Sequence, residues 1–193
     1  MLDGSFRYCD KKRCRSMQYY NANLIRKSEV QDERLKNIIL NSEISMNSDV
    51  RTLSLGMDYT CNLECPSCRT GMRKISKDEV SYQLTNFNSI MKEIGSQLDM
   101  LHISGDGDPF SSKVYHTILL KTDWDKYPNL KIGIQTNGIA LHERTWSGLP
   151  RSVKSKISYI GISIDGATAN TYEKLRLGGK FEKLVSNMEY LAN

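Results

Sequence analysis

A chain of 193 residues with 39% apolar and 25% charged side chains can build one full domain with a sizeable core, or one domain and part of a second. No run approaches the ~18 apolar residues of a membrane span, and the opening Met1-Leu2-Asp3-Gly4-Ser5-Phe6 lacks the basic-then-apolar layout of a secretory signal, so a cytoplasmic protein with no membrane partner is expected. The net charge of +5 sits at the front: residues 1–40 hold nine Lys/Arg against five Asp/Glu and residues 41–193 hold eighteen against seventeen, with no aromatic-and-basic pattern beside them, so the surplus reads as a solvated face and nucleic acid is not an expected partner.

In chain order, residues 1–20 carry Cys9 and Cys14 with four residues between them. Residues 21–50 are polar, with one short helical pattern that puts Leu35, Ile38 and Ile39 on one face, and they read as a linker. From residue 51 strands and helices alternate, the pattern of a parallel α/β architecture. The domains are therefore an N-terminal segment, 1–50, and a main domain, 51–193. The first strand is expected over residues 52–58, where Leu53, Leu55 and Met57 alternate with smaller or polar residues, and it ends in the loop Cys61-Asn62-Leu63-Glu64-Cys65-Pro66-Ser67-Cys68.

An amphipathic helix over 78–97 follows, with Val80, Leu84, Phe87, Ile90, Met91 and Ile94 on one face and Ser76 or Asp78 as its cap. A second strand over 99–104 runs into Gly105-Asp106-Gly107-Asp108-Pro109, a turn whose glycines permit close backbone approach to a ligand and whose carbonyls and carboxylates suit an ammonium group. After a helix over 112–122, a third strand, Leu130 to Thr136, ends in Thr136-Asn137-Gly138. The fourth, 157–164, ends in Ser163-Ile164-Asp165-Gly166, where Asp165 is a candidate helix cap. A last helix follows Gly178-Gly179 and carries Phe181, Leu184, Val185, Met188 and Leu191 as a core stripe.

Each of these strands ends in polar residues, the usual place for ligand sites in a parallel sheet. Five cysteines, an odd number in two clusters, argue against a disulfide framework and for metal chemistry in a reducing compartment. Three thiolates hold a metal centre without saturating it, whereas four close a structural site. A zinc knuckle would need a fourth ligand, and the nearest histidine, His102, lies in an apolar run and reads as a core residue.

Cys61, Cys65 and Cys68 at CxxxCxxC spacing after a first strand resemble the signature of the radical S-adenosylmethionine (SAM) enzymes. The resemblance implies that the three bind a [4Fe-4S] cluster whose fourth iron is chelated by the methionine moiety of SAM. One electron from the cluster then cleaves SAM to a 5'-deoxyadenosyl radical. Ser67 stands where the family usually has an aromatic residue beside the adenine. In the 105–109 turn, Gly107-Asp108-Pro109 resemble the last three positions of the family's Gly-Gly-Glu-Pro-like motif, which contacts the SAM amino group, with Asp108 in place of the Glu and Asp106 in place of the first Gly; Gly105 and these residues are implied as SAM contacts. Asn137 matches a residue lining the SAM pocket, and Ser163 with Arg176 matches a pair that holds the SAM carboxylate, work suited to a bidentate guanidinium.

The region of Cys9 and Cys14 resembles the end of a SPASM-type auxiliary-cluster module. The fold implied is a partial parallel (βα) barrel of the radical SAM type, with about four βα units where the family has six, preceded by a short irregular segment. The implied partners are SAM, a reducing electron donor, and a substrate that is a peptide, a protein or a carbohydrate-type molecule. Two other readings stand beside this one. The first is a truncated, non-catalytic iron-sulfur or metal-binding protein that needs a partner chain; the second is a nucleic-acid-associated metalloprotein recruited through the basic N-terminal arm.

Overall fold

The computed structural model describes residues 27–42, 50–103 and 107–192, so Cys9, Cys14, Gly105 and Asp106 lie outside the described residues. The chain divides into two compact units, Met1–Asn47 and Ser48–Asn193. In the first, a 3-10 turn at Lys27–Glu29 precedes helix α1, Glu33–Leu40, whose first backbone N–H groups are capped by the Asp32 carboxylate. The helix forms where the pattern places it, with Ile38 and Ile39 half-buried, but Leu35 of the expected face is exposed.

The second unit holds one sheet of four parallel strands in sequence order: β1 Thr52–Leu55, β2 Met100–Ile103, β3 Lys131–Thr136 and β4 Ile157–Ile162. Parallel neighbours need crossover helices. These are α2 Lys77–Ile94 between β1 and β2, α3 Lys113–Lys121 between β2 and β3, and the short α4 Glu143–Ser147 and α5 Arg151–Lys154 between β3 and β4; α6 Ala169–Leu175 and α7 Phe181–Ala192 follow β4. This is an α/β fold consistent with a partial βα barrel. Among the described residues no helix is long and apolar enough to cross a membrane.

Alternation along the strands builds the core. Leu55, Leu101, Ile103, Ile132 and Ile134 point to one face and are buried against Phe87 and Met91 of α2 and Val114, Tyr115, Ile118 and Leu119 of α3. Burial is worth about 1.5–3 kcal/mol for each large apolar side chain. Helix α2 starts where the sequence predicts, at Ser76, which forms a capping box with Glu79.

The opposite face carries Ser54, His102, Gly133 and Tyr159 in one register row. His102 is therefore half-buried on this face rather than in the core, with Nδ1 2.8 Å from the Tyr159 hydroxyl. Gly133 makes room for that contact, since a Cβ there would land on the Tyr159 ring.

Each strand is shorter than its apolar pattern. β1 stops at Leu55 because the Tyr115 hydroxyl takes over the ladder there, accepting from Met57 N (2.7 Å) and donating to Leu55 O (3.2 Å). Between β3 and β4 the register steps from Ile132↔Ile157 to Gly133↔Tyr159, so Ser158 is an extra residue, its hydroxyl donating to Ile132 O (3.2 Å). The predicted stripe of α7 also shifts: Leu184 is buried, but Met188 is exposed and Asn187 turns inward, donating to Gly138 O (2.8 Å) and Ile139 O (3.2 Å).

Candidate functional site

The loop after β1 is seated by a second apolar cluster at the C-terminal edge of the sheet. Leu63 and Cys65 are buried there with Ile139, Tyr172 and Leu184, and Cys61 packs against them. Backbone bonds fix the loop from two sides. Glu64 N donates to Leu177 O (2.9 Å), and Asp108 N donates to Thr60 O (2.9 Å). The entry to the loop turns on Asp58, 2% exposed, whose carboxylate accepts from Thr60 N (2.8 Å) and from the Ser112 hydroxyl (2.5 Å). Ser112 in turn caps α3.

This architecture brings every described candidate residue to one cavity of about 240 Å³. Cys61, Cys65, Ser67 and Cys68 line it from the β1 loop, Gly107 and Asp108 from the turn after β2, Asn137 from the end of β3, Ser163 from the end of β4, and Arg176 from the end of α6. Arg69 and Gln135 line it too and were not singled out in the sequence, and Thr136 was named only as the start of Thr136-Asn137-Gly138. A signal for Gln135 and Thr136 existed, since they close a strand whose end was already suspect. For Arg69 the only cue was its place directly after Cys68.

Within the cavity the roles separate. Asp108 is 1% exposed, and its oxygens are committed: Oδ2 accepts from the Thr136 hydroxyl (2.7 Å) and Asn137 N (2.8 Å), and Oδ1 accepts from Phe110 N (3.0 Å). The carboxylate expected to face an ammonium group instead joins the edges of β2 and β3. Asn137 is fixed by its own side chain, whose Oδ1 accepts from Ile139 N (3.0 Å) and whose Nδ2 donates to Asn62 Oδ1 (2.9 Å) and lies 3.5 Å from Cys61 Sγ.

Ser163 N continues the ladder by donating to Thr136 O (2.9 Å), and Ser163 Oγ accepts from Gln135 Nε2 (2.8 Å). Its hydroxyl hydrogen is thereby left to donate. Asp165 does not cap α6, a role that falls to Thr168; it forms an ion pair with Arg176, Nε to Oδ2 2.7 Å. Nε has no hydrogen-bond alignment in that contact. Burial opposes the Arg176 charge, but Asp165 and the Cys65 sulfur outweigh it and hold the guanidinium protonated above the ordinary arginine range. Its NH1 lies 3.8 Å from Cys65 Sγ.

The thiols differ in access: Cys68 is exposed, Cys61 half-buried and Cys65 buried. Burial pushes the Cys61 thiol up; the Leu63 N–H pulls it back, Asp108 pushes it further, and Arg69 and Asn137 pull it back again, leaving a net rise. A raised thiol pKa means less thiolate at neutral pH. In metal-free protein, iodoacetamide will therefore modify Cys68 first, while Cys61 will react in a range more alkaline than an open thiol and Cys65 will lag for want of access. Peptide mass spectrometry across a pH series reads this order, and simultaneous modification of all three at neutral pH would contradict it.

Among the described residues no three His, Cys, Asp or Glu side chains converge as they must around a single ion. Zinc needs four donors at about 2.0–2.3 Å. A cubane instead takes its three thiolates on separate iron corners, so its donors stand further apart around one shared cavity. Three sulfurs, each met by an N–H donor, suit such an anionic group.

No protein-family model and no curated protein matches the chain. Among solved structures, the chain is similar to that of BtrN in complex with AdoMet and 2-DOIA, at 14% identity and a TM-score of 0.33. The match covers 60% of this chain and 58% of the BtrN chain, a likeness of a degree that assigns nothing to these residues.

Proposed function

We propose that this chain is a radical SAM enzyme, acting in a reducing cytoplasm with its [4Fe-4S] cluster on Cys61, Cys65 and Cys68. The observation that carries the reading is convergence. Three cysteines of one CxxxCxxC loop line a single cavity at the C-terminal edge of a parallel sheet, together with Asn137, Ser163 and Arg176 from later in the chain. The cluster with SAM would supply reductive cleavage of a carbon-sulfur bond, using one electron from an external donor, and abstraction of a hydrogen atom from substrate to give 5'-deoxyadenosine.

The protein's own residues bind and orient. The Ser163 hydroxyl, which already accepts from Gln135, would donate its hydrogen to the SAM carboxylate. With Nε turned to Asp165 and one terminal nitrogen at Cys65 Sγ, the other terminal nitrogen of Arg176 would meet the same group. Asp108 shapes the wall through Thr136 and Asn137, so the ammonium end of SAM would meet the backbone of the Gly107 turn rather than a free carboxylate. Ser67 lines the cavity without offering an aromatic face. The substrate is a peptide, a protein or a carbohydrate-type molecule, in keeping with the SPASM-like Ser163-Ile164-Asp165-Gly166 and Arg176.

The test is anaerobic reconstitution of the 193-residue chain with iron and sulfide, reduction by dithionite, addition of SAM and chromatography for 5'-deoxyadenosine. Product is expected, and Cys65→Ala should reduce it to background. A bound cluster with no SAM cleavage would favour the non-catalytic iron-sulfur protein, and uptake of zinc in preference to iron would overturn both.

A further inference from the structure

Each cysteine sulfur in the cavity is met by a side-chain nitrogen from a different place in the chain. Asn137 Nδ2 lies 3.5 Å from Cys61 Sγ, Arg176 NH1 3.8 Å from Cys65 Sγ and Arg69 NH2 3.6 Å from Cys68 Sγ. These are sulfur hydrogen-bond distances, and two of the three donors carry full positive charge.

None of the three donors is loose. Arg69 is tethered by NH1 to Tyr59 O (2.9 Å). Arg176 is tethered by Asp165, and Asn137 by Asn62 and Ile139. Donors held in place before an electron arrives favour the more negative state of whatever the sulfurs hold, because the surroundings need not reorganise. Arg69 is the donor on the most exposed of the three sulfurs, where water would otherwise compete.

We propose that Arg69, Asn137 and Arg176 form a nitrogen-donor collar that raises the reduction potential of a cluster on Cys61, Cys65 and Cys68, with Arg69 the positioning residue for the exposed corner. The inference rests on the functional reading above. It concerns one couple: the cluster gains one electron from the reductant, and hydrogen bonds to its sulfurs are among the factors that set the potential.

The test is potentiometry of the reconstituted chain without SAM, with dithionite as reductant, electron paramagnetic resonance as readout and iron and sulfide counted in each sample. Arg69→Met, which keeps the stem and removes the donors, should lower the reduced-to-oxidised ratio about tenfold at a fixed applied potential, a shift of about 59 mV for one electron. Arg69→Lys, which keeps the charge, should recover part of that shift. Asn137→Ser, which draws the donor back from Cys61, should move the potential the same way, and it decides the matter if Arg69→Met fails to hold iron. Loaded variants whose potentials all coincide with that of the parent chain would overturn the collar and leave the functional reading intact. A parent chain that takes up no iron and sulfide would end both.

Discussion

Gly107→Ala will unseat the cysteine loop, at a cost of about 3 kcal/mol or more. A Cβ at this position would fall on the carbonyl oxygens of Asp58 and Thr60 and lie 3.0 Å from Thr60 N. All three atoms are backbone, so no side chain can swing away to relieve the overlap. The same two residues carry the turn into Cys61, and Asp108 N needs Thr60 O as its acceptor. The expected result is a lower urea midpoint together with loss of iron uptake. Gly71→Ala, where a Cβ meets nothing within 4 Å, should leave both nearly unchanged. An alanine at 107 that melts and loads like the parent would show that the turn and the loop move independently.

Asp108→Ala should cost roughly 3–5 kcal/mol, because it strands buried donors instead of removing a contact at the surface. The Thr136 hydroxyl, Asn137 N and Phe110 N all donate to this one carboxylate, which is 1% exposed. Asp108→Asn keeps the shape but exchanges one acceptor for a donor facing other donors, so it should cost less than alanine and more than a surface change. If the residue served mainly to meet the ammonium end of a ligand, the pattern would reverse, with stability kept and ligand affinity lost. Equilibrium unfolding of the two variants separates these cases.

Those two residues show where sequence reasoning stops. That Gly107 and Asp108 share a cavity with the cysteines was legible, because a Gly/Asp turn closing the next parallel strand must emerge at the same sheet edge as the cysteine loop. What Asp108 does there was not, since its partners are 28 and 29 residues away and nothing in composition marks a carboxylate as buried. Asp58 and Ser112, 54 residues apart, were invisible for the same reason. Strand identity was legible from alternation. Strand ends were not, because the apolar pattern runs on past the last ladder bond, as at Met57, whose N–H goes to the Tyr115 hydroxyl. The inward turn of Asn187 escaped a reading that ranks positions by apolarity, because its polarity is what the carbonyls of Gly138 and Ile139 require.

The extra residue at Ser158 has a bearing on how this protein can change its length. Because side chains alternate along a strand, one residue more or fewer exchanges its two faces downstream. Ile157 and Ile160 both pack against the core, although they are three positions apart, and only the step at Ser158 allows this. Removing that residue would put Ile157 and Ile160 two positions apart in a regular ladder and leave Tyr159 and Ser163 on their present face, whereas removing a residue beyond it would carry one face to the other. Loss of one residue should therefore be accepted at Ser158 and rejected from Ile160 to Ile162, a contrast that a scan of single-codon deletions would expose.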